Sequence, residues 1–365
     1  MLNKLSCLPT LKFTLCQINT GPYAMRFIQS LSGIVSDGQY DAIASDVYGV
    51  LHDGVQPYPY SKQCLKELYA HNFKTFLLSN SSRLGTALAK DLHRKFGIDE
   101  NTYERVISSG DLTKLFLEAC YNEMRGSTVE DTVEKCVATM LVKDETHAMT
   151  AQQFVKQFIK TGRFYLAGDE EYHSPLYEHL SPEISRVPFS NEIDFVLVGK
   201  VIQLPDQSPM DPNDPESVKQ HYADLLNQCL AARVPLIVAN PDVQAPNGTY
   251  DDGTPRLLVC PGYIGQLYRE MGGCVLYFGK PFTSIYQYLI ENVQCQSPTP
   301  RILCVGDNVA TDVLGARSMG LDVALTLGGV HNLSVENDQC ASQIQHLCEE
   351  YQSPEPTYAL QYLRF

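Results

Sequence analysis

DAIASDVYGVLHDG, residues 41–54, is the stretch whose reading decides the fold. Ile43, Ala44 and Ser45 carry an apolar strand to its end, and Asp46 sits at the carboxyl tip. Gly49 and Gly54 then punctuate an irregular turn. Open α/β sheets bind at the carboxyl ends of their strands, so a carboxylate there meets solvent, a ligand or a metal. Taken alone, an Asp in a turn is ordinary. Three later strands that end in a similar way give it weight. Thr75–Leu78 runs into Ser79-Asn80, Val275–Phe278 into Gly279-Lys280-Pro281, and Ile302–Val305 into Gly306-Asp307. In one parallel sheet those ends share an edge, and carboxylate, hydroxyl, ammonium and carboxylate converge there.

Helical spacing separates the strands. It predicts helices over Ser61–Ala70 with Ser61 as N-cap, over Leu84–Phe96 stopped by Gly97, and over Thr311–Met319 stopped by Gly320. This alternation is the mark of a doubly wound parallel α/β core, Rossmann-like in kind. The middle of the chain carries its own strands (Phe164–Ala167, Ile193–Val198, Leu236–Ala239) and helices, which predicts a second α/β domain. Residues 122–150 are polar and irregular and read as an insertion or long surface loop. The resulting division is an N-terminal extension over 1–36, a first core part over 37–115, the inserted domain over 116–250 and a second core part over 251–365. A closing helix is expected over Ser334–Tyr351.

Composition narrows the function. A formal net charge of −14 argues against nucleic-acid binding and against docking on anionic membranes, both of which need clustered Lys and Arg. The twelve Cys include no C-x-x-C pair and several lie in apolar runs, which suits reduced thiols and a cytoplasmic location. The first 36 residues contain no Asp or Glu, so mitochondrial import is kept as an alternative. His173 and His179 are too isolated to argue for zinc. His52 and Asp53 are expected at the surface.

The four strand ends together resemble the haloacid dehalogenase superfamily of aspartate-nucleophile hydrolases. Asp46-Val47-Tyr48-Gly49-Val50 looks like its first motif, Leu77-Leu78-Ser79-Asn80 the second, Gly279-Lys280-Pro281 the third, and Gly306-Asp307 with Thr311-Asp312 the fourth. The Gly-Lys-Pro, the spacing of the fourth motif and Asn240-Pro241-Asp242 resemble the class IIA branch, which includes 4-nitrophenyl and phosphoglycolate phosphatases and carries a large α/β cap between motifs two and three. The resemblance implies Mg²⁺ held by Asp46, Asp307 and the backbone carbonyl of Tyr48, with Asp312 holding the metal's shell in place or binding it through water. It implies Asp46 as nucleophile forming an aspartyl-phosphate, with Ser79 and Lys280 supporting the transferring group. Ser79, Asn80, Lys280, Asn240 and Asp242 are expected to line the substrate, a small phosphorylated metabolite. Pairing of two copies through the cap is a further implication.

One position departs from the pattern. Phosphatases of the superfamily usually carry Asp two places after the nucleophile, to protonate the leaving oxygen; here Tyr48 stands there. A phenol, with a reference pKa of about 10, is a poor base near neutrality. Three readings follow: a slow Mg²⁺-dependent phosphatase favouring good leaving groups, an inactive protein that keeps a phosphate and metal pocket, or a dehalogenase-type hydrolase. The retained Asp307 and Asp312 weigh against the last.

Overall fold

The computed structural model describes residues 25–127, 137–190, 192–205, 207–249, 255–295 and 299–365. The chain divides into two compact units. The first comprises the described residues up to Ser79, Gly85–Ile107 and Tyr286–Phe365. It is built on a seven-stranded sheet ordered Arg26–Phe27, Tyr358–Leu360, Asp322–Thr326, Ile302–Gly306, Ala42–Asp46, Lys74–Ser79 and Arg105–Ser108. The pairings from Arg26–Phe27 through to Lys74–Ser79 are all parallel, as expected of a Rossmann-like core.

Burial explains the sequence pattern. All five residues of Ala42–Asp46 are buried, as are all five of Ile302–Gly306. Parallel strands covered on both faces read as continuous apolar runs, not alternating ones. Leu31, Leu51, Leu65, Leu68 and Leu77 pack with Ile43 and Phe96 in one core cluster. The helix Gly85–Phe96 ends in His93, Arg94 and Lys95, where cations suit the negative end of the helix dipole. The helix Ser61–Ala70 starts differently from expectation: Tyr60 holds the N-cap position with φ 70°, and no side chain caps it. Ser61 is the first helical residue, and its hydroxyl donates instead to the carbonyls of Leu51 and Tyr58.

The second unit comprises Asn80–Leu84 and the described residues of Ser108–Ile285. Its sheet is ordered Glu145–Met149, Ala138–Val142, Cys274–Tyr277, Leu236–Val238, Phe195–Val198, Arg163–Ala167 and Ser185–Arg186. The first three of these strands are antiparallel neighbours and the other pairings are parallel.

Four expectations are corrected. The strand before Lys280 belongs to the second sheet, because Val275–Tyr277 pairs with Leu236–Val238; residues 255–285 therefore belong to the inserted unit. The loose block is largely ordered: a helix runs to Met124, and Ala138–Val142 and Glu145–Met149 form a hairpin turned at Lys143, with φ 50°. Residues 128–136 of that block lie outside the described residues. The extension does not reach residue 36. Arg26–Phe27 pairs with Tyr358–Ala359, and Leu31 is fully buried, so the first unit begins by residue 26. The leader over 1–24, on which the mitochondrial alternative rests, lies outside the described residues. Finally, the closing helix spans Cys340–Glu350 and is followed by an unanticipated strand, Tyr358–Leu360, inside the sheet.

Among the described residues no helix is long and apolar enough to cross a membrane.

Candidate active site

Strand register alone sets three groups at one level of the first sheet. Val305 pairs with Ser45 and Leu78 pairs with Asp46, so Asp307 and Ser79 each emerge just past the strand end that Asp46 closes. A π-helical turn, Val309–Val313, then brings Asp312 back toward the sheet. Its N-cap is Asn308, whose side chain accepts from the Ala310 amide at 2.9 Å. Turns of this kind are frequent at functional sites.

Asp46, Asp307 and Asp312 come together. Each offers a carboxylate oxygen within 4.8 Å of the others, and all three are buried, at 7%, 5% and 3% exposure. At an effective dielectric of about 20, two unit charges at that distance repel by about 3.5 kcal/mol. Three such pairs would work against folding unless a cation offsets them.

The backbone is shaped around this cluster. A Cβ on Gly49, where φ is +88°, would lie 2.1 Å from Asp307 Oδ2. A Cβ on Gly329 would lie 2.3 Å from the same carboxylate oxygen. The Val330 amide donates to Asp307 Oδ2 at 2.6 Å, and the Asn308 amide donates to Asp312 Oδ2 at 3.1 Å. A Cβ on Gly306 would meet the Asp312 side chain at 2.2 Å. The donors are oxygens only and the approach is close, which fits a hard divalent cation such as Mg²⁺. Softer metals favour His or Cys ligands.

The loop after Asp46 closes on itself. The Gly49 amide donates to the His52 carbonyl at 2.9 Å, and the Tyr48 hydroxyl donates to the Asp53 carbonyl at 2.8 Å. Gly54, with φ +95°, leaves room for that hydroxyl, since a Cβ there would be 2.7 Å from it. His52 is buried, contrary to expectation. Its ring stacks on Phe96 at 4.0 Å, and Nδ1 accepts from the Gly54 amide. Burial pushes His52 down to about 4; Lys95 adds to this and Asp53 opposes it. Asp53 is only partly exposed, and its carboxylate accepts from the amides of Val55 and Gln56.

Val330, His331 and Tyr58 are not announced by the sequence pattern. Val330 acts through its amide, which leaves no side-chain signal, although Gly328-Gly329 after the strand Asp322–Thr326 marks a close backbone approach. Val309 donates its amide to His331 Nε2 at 3.0 Å, and burial pushes that imidazole down to about 4. Tyr58 stacks against Tyr362, and burial followed by the Asp307 charge pushes its phenol up to about 12.

The second unit gathers the other predicted residues. Asn80 Oδ1 accepts from the Lys280 amide at 2.7 Å, while Nδ2 donates to the Lys280 carbonyl at 2.9 Å and to Asp242 Oδ1 at 2.8 Å. Asn240 Oδ1 accepts from the Asp242 amide. Asn80 and Lys280 are buried, so Asn80 serves the backbone on both sides of Lys280. His173 is buried with Nε2 bonded to Ser82 Oγ at 2.9 Å.

Two family models match the chain, one for haloacid dehalogenase-like hydrolases over residues 43–129 and one described as HAD-hydrolase-like over 277–352. Between them they contain Asp46, Ser79, Lys280, Asp307 and Asp312. No curated protein matches significantly. Solved structures do. A haloacid dehalogenase-like hydrolase from Brucella suis is 24% identical with a TM-score of 0.64, covering 92% of this chain and 100% of its own. A "possible sugar phosphatase" from Cytophaga hutchinsonii is 19% identical with a TM-score of 0.62, covering 93% and 98%. A 4-nitrophenylphosphatase from Thermotoga maritima is 18% identical with a TM-score of 0.53, covering 89% and 95%. At these identities the likeness is one of fold.

Proposed function

This chain belongs to the haloacid dehalogenase-like hydrolases, with the inserted cap of the class IIA branch, and from that premise we propose that it is a phosphatase of small phosphomonoesters with Asp46 as nucleophile. The observation that carries the reading is the buried group of three carboxylates at the carboxyl edge of the first sheet. A divalent cation, best Mg²⁺, would be held by Asp46, Asp307, the Tyr48 carbonyl and, directly or through water, Asp312. When bound it supplies positive charge against the carboxylates and the phosphate.

The remaining chemistry falls to the chain. A carboxylate oxygen of Asp46 forms a bond to phosphorus as the ester P–O bond breaks, and the leaving oxygen departs with the electron pair. Ser79, one residue past the level of Asp46, donates a hydrogen bond to the transferring group. The resemblance of Gly279-Lys280-Pro281 to the third motif is what assigns Lys280 to offsetting charge on the phosphoryl oxygens. Water then hydrolyses the aspartyl-phosphate, which restores the carboxylate and releases phosphate. Because the Tyr48 hydroxyl is bonded to the Asp53 carbonyl, the leaving oxygen takes its proton from solvent, and good leaving groups are favoured. The same bond favours a second reading, a phosphate and metal binder with little turnover.

Purified protein assayed on 4-nitrophenyl phosphate with Mg²⁺, with EDTA and as Asp46→Asn separates the two. The phosphatase turns over only with Mg²⁺ and loses activity in the variant. The binder takes up Mg²⁺ and phosphate and turns over nothing.

A further inference from the structure

Beside the carboxylate cluster, within the first unit, lies a pair of aromatic rings that the reaction as derived does not use. Tyr58 and Tyr362 stack with centroids 5.9 Å apart and planes 30° from parallel. Both are only partly buried. Their position follows from the backbone next to Asp307. Gly328 packs against the Tyr362 ring, where a Cβ would be 2.1 Å from the ring edge, and the next two residues are Gly329 and Val330, which touch the Asp307 carboxylate. From the other side, the Tyr58 amide donates to the Leu51 carbonyl, anchoring Tyr58 to the loop whose Gly49 lies against Asp307. The Asp307 charge felt by the Tyr58 phenol agrees with this placement.

Two independent features point to the same substrate. Partly exposed stacked rings next to a phosphate-binding cluster favour a third ring laid against them. A hydroxyl committed at Tyr48 leaves the departing oxygen without a proton donor from that position, and aryl oxides tolerate this better than alkoxides. We propose that Tyr58 and Tyr362 form the platform for the leaving group and select phosphate esters of aromatic alcohols. This rests on the phosphatase reading for turnover, but the platform itself can be probed without turnover.

The test measures binding of phenylphosphonate and methylphosphonate to the full chain with Mg²⁺ by calorimetry, alongside 4-nitrophenyl phosphate turnover. Wild type should bind the phenyl compound roughly 5-fold or more tightly than the methyl one. That ratio should fall toward one in Tyr58→Ala and Tyr362→Ala and be kept in Tyr58→Phe and Tyr362→Phe. Where an Ala variant fails to fold, the Leu variant replaces it and should lose most of the ratio. No phenyl preference in wild type, or a preference that the Ala and Leu variants leave intact, overturns the platform. A preference that behaves as expected in a protein with no turnover upholds the platform and rejects the phosphatase.

Discussion

The Tyr48 hydroxyl donates to the Asp53 carbonyl at 2.8 Å, so the side chain two places after Asp46 is bonded into its own loop. It also meets the His52 ring edge-on at 5.3 Å. Tyr48 therefore holds the loop that sets Gly49 against Asp307. Tyr48→Asp should install a proton donor at the cost of that bond. General acid–base groups contribute typically about 10²–10⁴-fold, and the need is greatest for poor leaving groups. The variant should gain about 10²-fold in kcat/KM on an alkyl phosphate and much less on 4-nitrophenyl phosphate. Equal changes on both substrates would remove the argument.

Glycine at 49 and 329 is a requirement of the carboxylate cluster. A Cβ at either place would intrude on the Asp307 carboxylate, and at Gly49 the φ of +88° adds backbone strain. A cation that binds only the folded state raises its stability in proportion to the logarithm of its concentration over Kd. Mg²⁺ should therefore raise the Tm of wild type, and Gly329→Ala should fold yet show a clearly smaller rise. Gly49→Ala should lose the rise and about 1–2 kcal/mol of stability as well. An undiminished Mg²⁺ response in Gly329→Ala would mean that Asp307 is not a ligand.

Asp46, Ser79 and Asp307 were legible as neighbours because each ends a buried parallel strand, and such strands announce themselves as apolar runs closed by a polar residue. The sheet that receives a run is not written in the run itself. Val275–Phe278 is as apolar as Ile302–Val305, yet Val275–Tyr277 pairs with Leu236–Val238, so Lys280 follows a strand of the second sheet and not of the first. Tyr358–Leu360 is too short for any periodicity to show. Tyr58 and Tyr362 are distant in sequence, and the Val330 amide carries no side-chain signature at all. His52 reads as a surface residue, because nothing local reveals that Phe96 covers it.

Acid should destabilise the first unit through His52. Burial holds its folded pKa near 4, below the ordinary 6.5 of an unfolded chain. Between those values the unfolded state binds more protons, so stability rises with pH across the window. The contribution is full above about pH 6.5 and is lost as pH falls toward 4, a change of about 3 kcal/mol. Urea unfolding at pH 7.5 and pH 4.5 measures it, and His52→Gln should flatten the difference. A variant with the wild-type slope would place the titration elsewhere.

Residues 26–36 act as part of the core and not as an extension. Arg26–Phe27 supplies the edge strand that covers Tyr358–Leu360, and Leu31 is fully buried with its amide donating to the Arg364 carbonyl. A buried Leu reduced to Ala costs about 2–5 kcal/mol, and losing the strand and the helix Ser32–Ser36 with it should cost more. A chain spanning 25–365 and one spanning 37–365 separate the two views of this segment. The shorter chain should unfold at a clearly lower urea concentration, by at least about 3 kcal/mol, or be recovered insoluble. Leu31→Ala in the longer chain should reproduce a large part of that loss. Equal midpoints for the two chains would restore the boundary at residue 36 and leave the burial of Leu31 without energetic weight.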